Sequence, residues 1–211
     1  MRLTKYEHAS FVLNEDGKNL VVDPGAFTTP FLGLDDVVGI VVTHEHADHW
    51  TPDQFTHILD RNPGIPIFGP AGFAAAATGF DVTVVTPGET VTVGPFTLEF
   101  FGGKHAVIHS SIPVIDNVGV LINGTLFHPG DSFTVPGVPV DVLAVPSSGP
   151  WLKIAEVMDY VTAVKPKRAF PIHEMVNSAI GNGMARERIG AVTEAGGGEF
   201  FVLEPTEFRE L

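Results

Sequence analysis

The chain has 211 residues, 44% of them hydrophobic and 18% charged, with a formal net charge of −13 and no cysteine. That length suits one compact domain over residues 1–211, the apolar fraction excludes a disordered chain, and the missing cysteines exclude disulfides and thiolate ligands. The acidic balance argues against a nucleic-acid partner, because phosphate binding needs clustered Lys and Arg; the nearest such group, Lys165, Lys167 and Arg168, is broken by Pro166 and reads as a solvated helix end.

In chain order, the opening MRLTKYEHASFVL lacks a basic region leading into a long apolar core, so a cytoplasmic protein with no membrane partner is expected. His8–Leu13 and Leu20–Val22 read as a hairpin across Asn14–Gly17, followed by the turn Asp23-Pro24-Gly25. Val37–Thr43 is a continuous apolar strand of the kind buried on both faces. A helix begins at Thr51-Pro52, with Gln54 placed for a capping box, and stops before Asn62-Pro63-Gly64. Ile65–Phe68 reads as a strand, Gly72–Ala77 as a short helix, and Val82–Val85, Thr90–Val93 and Thr97–Phe101 as successive strands.

The second half begins near Asn117. Val118–Ile122 and Thr125–Phe127 flank Asn123-Gly124, a strong hairpin signal. Val140–Val145 is a strand, Trp151–Val164 has apolar residues at helical spacing, and Arg168–Ile172 is a strand. Met184–Ala195 reads as a helix and Glu199–Leu203 as the last strand. Strands interleaved with helices in both halves predict two packed sheets covered by helices outside.

The chemistry concentrates in VVTHEHADHW, residues 41–50, where His44, His46, Asp48 and His49 follow a buried strand directly. Imidazole nitrogens and carboxylate oxygens suit Zn²⁺, Mn²⁺ or Fe²⁺. His44 and His46 point to one side of extended backbone and can reach one ion; Asp48 and His49 follow the turn and can face a second. Further ligands must come from elsewhere, and His105, Asp131 and His173 each stand just past a strand's C-terminal end. His109 lies in the same loop as His105, which is closer to the strand. His128 reads as a structural hydrogen-bonding histidine and His57 as a surface residue of the first helix. His8 is placed at the start of the first strand, either as a satisfied histidine or near the site. Asp23 can fix a ligand histidine's tautomer or simply form its turn. Ser147, Ser148 and Trp151 can shape a pocket or a helix entry.

Thr-His-x-His-x-Asp-His, followed by a His, a Gly-Asp and a Pro-x-His, resembles the metallo-β-lactamase-fold hydrolases. Asp23-Pro24-Gly25 and His8-Ala9-Ser10-Phe11 resemble the compact branch that includes L-ascorbate-6-phosphate lactonase. The resemblance implies an αββα sandwich. It also implies one metal held by His44, His46 and His105, a second held by Asp48, His49 and His173, and Asp131 bridging both. The implied cofactors are two divalent ions, Zn²⁺ first, with Mn²⁺ or Fe²⁺ as alternatives. Asp48 and Asp131 are the expected catalytic carboxylates. The implied activity is hydrolysis of a small ester, lactone or phosphodiester by a metal-bound hydroxide. The alternative is an iron-dependent persulfide dioxygenase-like oxidoreductase with a mononuclear site. The absence of cysteine separates the chain from lactamases with a Cys ligand, and the intact His46 separates it from flavodiiron proteins.

Overall fold

Strand alternation sorts the apolar residues into three layers. In the computed structural model, which describes Met1–Leu211, the first half contains β1 (Arg2–Lys5), β2 (Phe11–Glu15), β3 (Lys18–Val22), β4 (Val37–Val41), α1 (Pro52–Arg61), β5 (Ile67–Gly69), α2 (Ala71–Ala76) and β6 (Val82–Val84). The second half contains β7 (Thr90–Val93), β8 (Phe96–Lys104), β9 (Asp116–Ile122), β10 (Leu126–His128), β11 (Val142–Pro146), α3 (Ile154–Val164), β12 (Arg168–Ile172), α4 (Ala179–Ala195), β13 (Glu199–Phe200) and β14 (Phe208–Glu210). The strands form two seven-stranded mixed sheets, ordered β14-β1-β2-β3-β4-β5-β6 and β13-β12-β11-β10-β9-β8-β7.

Successive side chains of a strand face opposite ways. Leu20, Val22 and Val41 therefore meet Phe96, Leu98, Val120, Val142 and Phe170 of the other sheet in a central core. Their neighbours Val21, Ile40 and Val42 face outward and are covered by Phe55, Ile58 and Phe73 of α1 and α2. Leu121, Leu143 and Val145 are covered likewise by Val157, Val161 and Ile189 of α3 and α4. The result is an αββα sandwich. No helix is long and apolar enough to cross a membrane.

Local signals fix several boundaries. Asp16 and Gly17 take positive φ (50° and 75°) between paired Glu15 and Lys18, as a tight hairpin turn requires. Asn123 and Gly124 do the same at 52° and 59°. Thr51 caps α1, its side chain accepting from the Gln54 backbone N–H. The capping box is only half made, because the Gln54 amide is diverted to Phe31 N and Thr28 O.

Four expectations change. β1 and β14 pair with each other at the sheet edge and were unread, both being short and mostly polar. His8 is not in a strand: it sits in the β1–β2 turn with φ 60°. α3 starts at Ile154 rather than Trp151, whose ring turns into the site instead. α4 starts at Ala179, five residues before Met184, because the Ser178 side chain caps it despite Gly181 and Gly183.

Strands β3 to β6 run parallel in one sheet and β10 to β13 in the other. Parallel strands align their C-terminal ends, and that is where crevices form in such sheets. Phe170 lies at the centre of the inter-sheet core, fully buried, with its ring stacked on Phe201 at 5.5 Å. Phe170→Ala is expected to cost about 3–5 kcal/mol. Urea unfolding checks this: the midpoint should fall sharply with the slope unchanged.

Candidate metal centre

The C-terminal ends of β4, β10 and β12, the loop after β8 and the β1–β2 turn bring eight ligand-type side chains together around one cleft. Two groups of four form. His44, His46, His105 and Asp131 offer ligand atoms within 4.8 Å of one another, and so do His8, Asp48, His49 and His173. Asp131 touches both groups. Its Oδ2 is 3.4 Å from His105 Nε2 and 3.9 Å from His44 Nε2, and also 3.0 Å from His173 Nε2; its Oδ1 is 3.3 Å from His49 Nε2.

Beneath the cluster lies Asp23, fully buried and held at φ 45°. Its Oδ1 accepts the Thr43 backbone N–H at 2.8 Å. Its Oδ2 accepts from Thr43 Oγ1, His49 Nδ1 and His128 Nε2 at 2.9, 2.8 and 2.7 Å. This fixes tautomers. His49 commits its Nδ1–H to Asp23 and turns Nε2 to the cleft. The Thr43 hydroxyl, donating to Asp23, accepts from His44 Nδ1 at 3.0 Å and leaves His44 Nε2 bare. His105 donates Nδ1–H to the Ala106 carbonyl at 2.6 Å, with the same consequence.

Other contacts hold the carboxylates. Trp151 Nε1–H donates to Asp131 Oδ2 at 2.9 Å, and Asn117 Oδ1 accepts the Asp131 backbone N–H at 3.0 Å. His8 Nε2 lies 3.1 Å from Asp48 Oδ2, while its Nδ1 accepts the Met175 N–H at 3.4 Å. The proton on His8 therefore belongs to Nε2 and points at Asp48. Backbone approach is tight: a Cβ on Gly25 would lie 1.8 Å from the Asp48 carbonyl oxygen, which explains Gly in Asp23-Pro24-Gly25. Ser147 and Ser148 hydroxyls donate to the Ile172 and His173 carbonyls, locking the β12 end that carries His173.

Burial and neighbouring charge set the protonation. Burial would lower His49 and His173, but Asp131 and its neighbouring carboxylates outweigh it, raising His49 well above its ordinary value and His173 to about 9. Burial would raise Asp131, Asp48 and Asp23, yet the facing imidazoles hold all three below the usual carboxylate range. Burial dominates at His8, lowered to about 4, and at His44, lowered well below 6.5.

Residues 2–173 match the family described as Beta-lactamase superfamily domain, an interval that ends on His173 and contains every residue of both groups. The chain belongs to that superfamily. It is 36% identical over 198 residues to protein Rv0786c of Mycobacterium tuberculosis, covering 92% of this chain and 93% of the relative. It is 26% identical over 193 residues to a Carboxydothermus hydrogenoformans protein named UPF0173 metal-dependent hydrolase, covering 82% of this chain and 84% of the relative. In fold it resembles Igni18, a metallo hydrolase from Ignicoccus hospitalis, with TM-score 0.74 at 20% identity over 100% of this chain and 98% of that one.

In this superfamily domain, all seven residues singled out from the sequence lie in the two groups. His105 is buried at the cleft while His109 is exposed and paired with Ser111. His57 lies on α1 in a separate groove beside Thr51 and Gln54. Thr43, Asn117 and the donor role of Trp151 were missed; neutral hydrogen-bonding groups carry no metal-type signature, and only the Thr preceding His44 hinted at one.

Asp23→Asn replaces an acceptor-only group with one that must also donate, disturbing the His49 and His44 tautomers. Zinc affinity should fall about 10–100-fold in a competition titration; an unchanged affinity would show that Asp23 does not orient the imidazoles. For protein stripped of divalent ions with EDTA, the sign follows from His173. Its raised value, about 9 against 6.5, gives stability fully present below pH 6.5 and lost as pH rises through 9. Calorimetric Tm should therefore decline across that window, and a flat profile would contradict it.

Proposed function

We propose that the chain is a metal-dependent hydrolase with two divalent cations, one held by His44, His46 and His105, the other by Asp48, His49 and His173, and Asp131 shared between them. The observation that carries this reading is a set of buried atoms without hydrogen-bond partners: Nε2 of His49, His105 and His173, and Oδ1 of Asp131. Buried polar atoms are rarely left unsatisfied, and their convergence on one cleft marks a place for a cation. The spacing fits. Donors in a tetrahedral shell at ~2.0–2.1 Å stand about 3.3 Å apart, and Asp131 lies 3.0–3.9 Å from four imidazole nitrogens. The nitrogen and carboxylate donor set suits Zn²⁺, with Mn²⁺ or Fe²⁺ also accommodated. A relative named metal-dependent hydrolase supports metal-dependent hydrolysis in this reading.

Bound there, such ions would polarise a carbonyl or phosphoryl oxygen and ionise a water near neutral pH. The chain's own residues supply the rest. Asp48 and Asp131, the carboxylates lining the cleft, are kept ionised by His8, His49 and His173 and can orient an attacking water by accepting its proton in a hydrogen bond. Trp151 holds Asp131 in place through its Nε1–H. His8, with Nε2–H committed to Asp48, is a positioning residue in this scheme rather than a ligand. The proposed substrate is a small ester, lactone or phosphodiester. A mononuclear oxidoreductase would leave His49 and His173 Nε2 buried without use, so those atoms favour two ions over one.

Elemental analysis tests the assignment. The parent protein is expected to carry about two metals per chain, His46→Ala about one, and Asp131→Ala one or none, with ester hydrolysis lost in both. Full metal content in both variants would sink it.

A further inference from the structure

The cleft over the two ligand groups has a volume of about 420 Å³, within the range of small-molecule sites. Apart from ligand-type side chains its lining is apolar, chiefly Phe27, Ile108, Pro150, Trp151 and Val176. Phe27 and Val176 stand at the rim, 44% and 48% exposed. Phe27 is fixed beside the metal centre by its edge contact with the His8 ring at 5.1 Å. Exposed apolar side chains converging on a cleft contribute little to folding and mark what the cleft contacts.

No Lys or Arg lines the cleft. Lys5, which reaches the turn carrying His8, is 1% exposed and commits its ammonium to the Tyr6 and His8 carbonyls and to Glu174. The Trp151 N–H is taken by Asp131. The formal charge of −13 would remain negative with two divalent cations bound, so the field of the whole chain repels anions. A phosphate remote from the reacting bond would lose its water against Phe27 and Val176 and find no partner. An alkyl chain there would gain about fourfold in affinity per buried methylene.

We infer that the substrate is an ester or lactone whose acyl part is an uncharged, apolar chain or ring, and not a phosphorylated sugar lactone; this rests on the hydrolase reading above. Hydrolysis breaks the acyl carbon–oxygen bond. The hydroxyl of water joins the acyl carbon and its proton goes to the departing oxygen, giving a carboxylic acid and an alcohol.

The test separates binding from turnover. Zinc-loaded protein is titrated by calorimetry with acetate, butanoate, hexanoate and octanoate, and with 6-phosphogluconate, while the matching p-nitrophenyl esters are assayed for hydrolysis. Affinity should rise roughly two- to fourfold per methylene as far as hexanoate, with kcat/KM following and 6-phosphogluconate binding more weakly than hexanoate. Val176→Asn and Phe27→Ser, at unchanged zinc content, should flatten that slope. Chain-length-independent binding, tighter binding of 6-phosphogluconate, or a slope surviving in both variants would overturn the inference whether or not esters are cleaved. Chain-length-dependent binding with no ester cleaved supports the apolar ligand class and defeats the hydrolase reading instead.

Discussion

A buried carboxylate, Asp23, is the constraint on which the site depends. It sits at the C-terminal end of β3 in a left-handed conformation and gathers four donors from Thr43, His49 and His128. An isolated charge so deeply buried would be strongly disfavoured, and only a full set of donors makes it tolerable. Those donors belong to the β4 loop of one sheet and to β10 of the other, so the same carboxylate ties the two sheets together at the mouth of the sandwich. It also directs the Nδ1 protons of His49 and, through Thr43, of His44 away from the cleft. Fold and ligand orientation thus share one interaction.

The sandwich explains why ligand-type side chains scattered over 130 positions can meet. Each sheet contributes a run of parallel strands, and both runs present their C-terminal ends on the same side. Loops there are free to carry polar groups while the strands behind them are dry. The turn between β1 and β2 adds His8 from the antiparallel part of the first sheet, and its positive φ aims the ring across at Asp48 and His173.

Much of this was legible in the sequence. The run from His44 to His49 is local, so its chemistry is visible without any fold, and His105, Asp131 and His173 could be found because each follows an apolar strand. The sandwich itself was legible through Val37–Thr43, where apolar residues on both faces demand cover on both sides. Other parts were not. Asp23 before Pro-Gly looks the same whether it builds a turn or orients imidazoles, and only the long-range contact to His128 distinguishes them. Thr43 and Asn117 act through ordinary amide and hydroxyl hydrogen bonds that leave no compositional trace. Trp151 satisfied a helical period, but its indole is drawn out of the helix by Asp131. Gly181 and Gly183 concealed the start of α4, whose stability comes from packing Ala185 and Ile189 rather than from helix propensity.

The charge arrangement also explains why so many imidazoles surround so few carboxylates. Without divalent ions, Asp48 and Asp131 are balanced by protons on His49 and His173, and the neutral rings of His8 and His44 avoid adding repulsive positive charge. A divalent ion can replace those protons only if the imidazole nitrogens become neutral donors, so loading and deprotonation are the same event. Trp151 stabilises the Asp131 carboxylate in either state, because a neutral N–H donor does not compete for charge. In the proposed reading, the centre exchanges protons for metal at these side chains, and the apolar wall of the cleft meets what approaches.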